Sequence, residues 1–177
     1  MLFFFLSLFF APTQSAEVII GSPTDLSENV LLVPRFDLFD FEDPEVEGKP
    51  REYLIRHNQE AKRLNTVFMN AASKNYPYTY ELVRMKDVDK RMVEGAKYLL
   101  EVVNLPKSAT SFPEEIVNQP AHLRYTIAEE MYRIPPSGQW HVFYVRDLRT
   151  GDIYLPGGWK GKAELADAIA ATFKALR

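Results

Sequence analysis

The feature that most limits what this chain can fold into is one amphipathic stretch, Arg51 to Lys74. Leu54, Ala61, Leu64, Phe68 and Ala71 recur at three- and four-residue steps, while Arg56, Glu60, Lys62 and Arg63 occupy other parts of the wheel. Pro50 stands where a proline is tolerated at a helix start, and Pro77 lies beyond the end. A lone helix with one apolar face needs a second layer to bury it, and the two strands predicted next supply a sheet.

Tyr78 to Met85 is rich in aromatic and branched residues and reads as a strand. In the following stretch, Arg91 to Val103, the second half alternates: Tyr98, Leu100 and Val102 point one way, Lys97 and Glu101 the other. Gly95, with Asp87, Asp89, Lys90 and Arg91 just ahead of it, marks a turn between the two. The expected product is a long antiparallel hairpin whose tip, Met92 to Gly95, is exposed and partly apolar. Such a tip is either trivial or a contact surface.

Further along, Asn104 to Pro120 reads as a loop with one helical turn at Glu114–Val117. Leu123 to Ile134 and Gln139 to Arg146 read as two more strands, joined by Pro135-Pro-Ser-Gly138. Arg149-Thr-Gly-Asp152 is a tight turn into a short strand, Ile153 to Leu155. Lys162 to Arg177 is a second helix with Leu165, Ile169, Phe173 and Leu176 on one face. Upstream, Glu17 to Ile20 reads as a short strand, and Asn29 to Phe41 as a segment laid across the domain surface or a partner-binding arm. Glu42 to Pro50 is acidic and proline-containing, so it is expected to be extended and solvated. The fold class is α+β: one long helix on a curved, four- to five-stranded antiparallel sheet, plus a C-terminal helix. The divisions are a leader at 1–16, an extended arm at 17–50, a domain at 51–156 and a helical extension at 157–177.

The leader assignment rests on Leu2 to Phe10, an almost unbroken apolar run followed by small residues up to Ala16, with the first charge at Glu17. The run is too short for a bilayer, which needs about 20 residues in a helix. It reads as a secretory signal cut after Ser15 or Ala16, the alternative being a buried N-terminal strand. The mature chain is expected outside the cell or in the endolysosomal lumen, without a membrane partner. A formal charge of -3 gives no reason to expect nucleic acid. With no cysteine, no disulfide holds the chain and the core must suffice.

The order helix, strand, Arg91-Met-Val-Glu-Gly95, Ala-Lys-Tyr98, strand resembles the cystatins, reversible inhibitors of papain-like cysteine proteases. Their first inhibitory hairpin follows Gln-x-Val-x-Gly, with an aromatic three residues on. Val93, Gly95 and Tyr98 match, and Arg91 replaces the Gln. Gly48 lies where the family makes its N-terminal contact. Pro135 falls where a second hairpin carries a Pro-Trp pair, although Pro136 follows it and the Trp is Trp140. The resemblance covers about residues 48–147 and implies protease binding through Gly48, Arg91, Met92, Val93, Glu94, Gly95, Pro135 and Trp140. It implies no cofactor. Secreted animal cystatins usually carry two disulfides, whereas cytosolic and plant members have none, as here.

No Gly-x-Ser-x-Gly, His-Glu-x-x-His or glycine-rich phosphate loop appears. His57, His122 and His141 show no metal spacing, and the chain is not read as an enzyme. Trp140 is either an exposed anchor or a core residue, and Trp159 reads as a packing residue. Three functions remain: a secreted inhibitor that occludes a papain-like cleft, a secreted cystatin-fold binding or structural protein without inhibition, and an α+β hydrolase or ligand-binding domain.

Overall fold

The computed structural model describes residues 16–42, 48, 50–118 and 137–177. The long helix forms as its pattern predicts: α1 runs Arg51–Asn75, with Pro50 at its N-cap and Leu54, Ala61, Leu64, Phe68, Ala71 and Ala72 buried. It stops because Pro77 disfavours helical geometry at Tyr76, whose backbone is extended at φ -100° and ψ 119°. Phe68 is the centre of the stripe, packed edge-on to Phe36 and Phe143 with ring centroids at 6.1 and 5.8 Å.

The sheet departs from the expected one. Among the described residues it has six strands: β1 (Val18–Ile20), β2 (Leu31–Arg35), β3 (Tyr80–Arg84), β4 (Tyr98–Pro106), β5 (Gln139–Asp147) and β6 (Ile153–Leu155), in the order β1-β6-β5-β4-β2-β3. It is mixed, not antiparallel. β2 pairs in parallel with both β3 and β4, and β1 in parallel with β6, while β5 is antiparallel to β4 and β6. The expected hairpin therefore does not form. β2 lies between β3 and β4, and of the residues assigned to the tip, Met92 and Val93 end a short helix, α2 (Val88–Val93), with Glu94 at its C-cap and Gly95 beyond; a 3₁₀ turn at Met85–Asp87 precedes it.

The segment assigned to an arm supplies both the edge strand β1 and the interior strand β2, so the sheet begins well upstream of residue 51. Leu31, Leu32 and Val33 are all buried, as befits a parallel strand covered on both faces. Leu31 N–H donates to Thr79 O, so odd-numbered residues of β2 turn their backbone to β3 and even-numbered ones to β4. Pro34 consequently lacks an N–H on the β4 side, and the β2–β4 ladder is formed only by Leu31 with Tyr98 and Leu32 with Leu99. Beyond Arg35 the chain leaves the sheet and runs along α1. Asn65 brackets Phe36 through its N–H and C=O at 2.8 and 2.9 Å, and Asn58 brackets Phe39 at 2.7 and 2.9 Å.

The connections β2 to β3 and β3 to β4 cross the sheet in opposite directions, so a common right-handed sense sends their helices to opposite faces. On one face α1 and α4 (Leu165–Ala175) share a core with Leu31, Val33, Tyr98, Leu100, Phe143 and Val145. On the other, Val88 of α2 packs on Leu32, Val83 and Leu99. Next to it, Phe112 and Ile116, the latter in α3 (Glu114–Val117), pack on Val103, Leu105, Val142, Tyr144 and Ile153. The C-terminal helix is thus part of the main core. The expected strand 123–134 lies outside the described residues.

Candidate functional site

α2 is six residues long and exists because Val88, its one buried side chain, anchors it to the sheet. Arg84 Nε donates to Asp87 Oδ2 at 2.6 Å and pins its start. Its end is a Schellman reversal: Ala96 N–H donates to Arg91 O at 2.9 Å and Gly95 N–H to Met92 O at 3.0 Å. Gly95 sits at φ +106°, where a Cβ is strained, although nothing lies within 4 Å of one. The glycine read from sequence as a hairpin end is a helix cap.

This reversal displays Val93, 84% exposed, between two polar residues. The Arg91 guanidinium folds back and pairs with Glu81 and Glu94, its Nε reaching Glu81 Oε1 at 2.9 Å. Arg91 is therefore engaged within the chain, while Met92 is half-buried. Beneath lies a cleft of about 280 Å³ floored by Val30, Leu32 and Ala96 and rimmed by Glu28, Glu81 and Glu94.

Arg91 to Gly95 thus form one continuous knuckle. The other expected contacts do not join it. Gly95 precedes the first residue of β4 by three positions, whereas Trp140 stands opposite Leu105 near the far end of the same strand. Seven residue steps lead from Tyr98 to Leu105, about 23 Å. Trp140 is half-buried, with Lys107 Nζ 5.4 Å from its ring centroid. Gly48 is exposed at φ +82°, two residues before the start cap of α1. Pro135 lies outside the described residues.

Beside the knuckle is a polar cluster absent from the sequence reading. Asp25 accepts from Lys97 Nζ at 2.7 Å and from Tyr98 Oη at 2.5 Å, and Lys97 lies 3.9 Å from Asp147. Hydrogen bonds from Lys97 and then Tyr98 hold the Asp25 carboxyl below its ordinary value. The hydrogen bond to Asp25 raises the Lys97 ammonium, and burial pushes the Tyr98 phenol up to about 12. At neutral pH these shifts favour the charged carboxylate and ammonium and the neutral phenol. The cluster ties the Gly21–Asn29 turn to the base of β4. With Asp25 and Lys97 72 positions apart, only the fold brings them together.

Among the described residues no group of three His, Asp or Glu side chains is placed to hold a metal ion, and no helix is long and apolar enough to cross a membrane. No family model, curated protein or solved structure matches the chain.

Proposed function

We propose that this chain is a secreted, non-catalytic protein-binding domain whose point of contact is the C-terminal end of α2. The observation that carries this reading is Val93, an apolar side chain 84% exposed on a knuckle held rigid by Val88 below, Gly95 behind and the Arg91 ion pairs on either side. A branched apolar residue on a fixed reversal loses little conformational freedom on binding, and its burial contributes about 1.5 kcal/mol or more. The apolar run Leu2 to Phe10 supports export.

A cystatin-type inhibitor of papain-like proteases is the narrower form of this reading. Val93 and Gly95 at an exposed reversal favour it. The helical backbone of α2 and the distance to Trp140 favour the broader form, because a wedge needs its pieces at one edge. Titration against papain separates the two: inhibition abolished by Val93→Asp selects the inhibitor, and no inhibition at high micromolar concentration leaves the broader form. The broader form is tested by a photoreactive residue at position 93, with the exposed Asp167 position of α4 as control. A discrete cross-linked protein from position 93 alone is the expected result, and equal labelling from both positions overturns the proposal.

A further inference from the structure

Among the described strands, β3 is outermost at one side of the sheet. Its register against β2, with Leu31 N–H on Thr79 O, turns the backbone of Thr79, Glu81 and Val83 inward. The N–H and C=O groups of Tyr80 and Leu82 and the N–H of Arg84 therefore face away from the sheet, while the Arg84 C=O caps the 3₁₀ turn at Met85–Asp87. No described strand meets them. A groove of about 240 Å³ lies along this strand, lined by Arg35 of β2, Glu81 to Arg84, Asp87 of the 3₁₀ turn, and Lys90 and Arg91 of α2.

We propose that this edge binds a second copy of the chain, β3 against β3 in antiparallel register about a two-fold axis at Leu82. A five-residue strand with outward groups on its first, third and fifth residues is self-complementary about its centre. Leu82 pairs with Leu82 of the other copy, and Tyr80 with Arg84 twice, so the outward Leu82 and Arg84 N–H groups and the Tyr80 and Leu82 C=O groups are all used. The side chains agree with this register. The two half-buried leucines meet on the α1 face, and each Arg84 meets a Tyr80 ring, an arrangement that favours cation–π contact. Glu81 falls opposite Val83. The register shifted by two residues one way sets Glu81 against Glu81, and the shift by four the other way sets Arg84 against Arg84. Charge at the ends is complementary as well. Glu28 and Glu94 rim the cleft at the Tyr80 end, and Arg35 lines the groove at the Arg84 end. Antiparallel pairing sets one end against the other. An acidic peptide from another protein would satisfy the groove's cations, but it would leave the symmetric pattern unused.

The test is the mass of the chain, as purified from its producing cell, by sedimentation over a concentration series, combined with residue-level amide exchange. The expected result is a concentration-dependent doubling of mass. Glu81 and Val83 amides should be protected at every concentration, and Leu82 and Arg84 amides slowed at least tenfold only where the dimer is populated. A monomer at the highest concentration overturns the proposal, and so does a dimer whose Leu82 and Arg84 amides exchange at monomer rates. Leu82→Pro removes the outward N–H at the axis while sparing the Glu81 and Val83 bonds to β2, and a folded Leu82→Pro chain should be monomeric. A folded Leu82→Pro dimer overturns the interface; if the variant does not fold, the exchange pattern decides.

Discussion

Arg146 Nε donates to Glu101 Oε2 at 2.6 Å across β4 and β5, with the guanidinium fully buried and the carboxylate nearly so. The remaining donors of Arg146 reach Ile116 O at 3.0 Å and Gly151 O at 3.2 Å. One buried cation therefore joins the end of α3 and the β5–β6 turn to the centre of the sheet. Removing either member strands a charge in an apolar layer, which costs about 3–5 kcal/mol.

The expected consequence is non-additivity. Arg146→Met and Glu101→Leu should each destabilise by about 3–5 kcal/mol, and the double variant should be more stable than either single one. It should still fall short of the parent, because the Ile116 and Gly151 carbonyls lose a donor. Chemical denaturation of all four proteins gives the cycle, and a double loss equal to the sum of the singles refutes the coupling.

Phe68 tests the helix stripe. Phe68→Ala opens a cavity between Phe36 and Phe143 and should cost about 3–5 kcal/mol. Phe68→Asp places an unpaired charge there and should prevent folding. Circular dichroism showing an unchanged melting temperature for Phe68→Asp would place the stripe outside the core.

Two glycines should fail on substitution for different reasons. Gly95→Ala meets no atom, and its cost is that of the positive φ alone, about 1–2 kcal/mol. At Gly161 a Cβ would lie 2.3 Å from His141 O, where residues 160–162 pair with the start of β5 through two backbone bonds between His141 and Lys162. Gly161→Ala should cost about 2–3 kcal/mol and free the His141 amide to exchange. Gly95→Ala should leave that amide protected, so exchange at His141 distinguishes crowding from strain.

What could be read from the sequence follows from what is local. α1, β5, β6 and α4 were legible because periodicity and turn residues mark them directly. β2 was not. Leu31 to Val33 is a consecutive apolar run among prolines and acids, the signature of a strand buried on both faces, and it lacks the alternation that marks a half-buried one. Without β2 the two strands around Gly95 look like a hairpin, because nothing near them signals a third strand inserted from about fifty residues upstream. Glu101 was hidden for a different reason. Its alternation suggested solvent, whereas the Phe112 and Ile116 layer and Arg146 cover this face of β4. Arg91 to Gly95 did form one surface, but the ion pair to Glu81 depends on β3 and α2 lying together.

The Asp25 cluster makes stability depend on pH from both sides. The Asp25 carboxyl titrates lower in the folded chain than in the unfolded one, where it stands at about 3.9. Its contribution is therefore present above that unfolded value and lost as pH falls through the folded one. Tyr98 and Lys97 are raised, so theirs is present below their unfolded values of about 10 and 10.4 and lost as pH climbs through the folded ones, about 12 for the phenol. Stability should be level near neutrality, fall below pH 4 and fall again between about pH 10 and 12. Asp25→Asn removes the acceptor of both donors. It should lower the neutral plateau and flatten the acid limb, so that its curve meets the parent's at low pH. The alkaline limb should soften only in part, because Lys97 loses the partner that raises it while burial still raises Tyr98. Urea denaturation at intervals from about pH 2 to 12 measures all of this, and parallel curves for the two proteins would show that the cluster contributes nothing to folding.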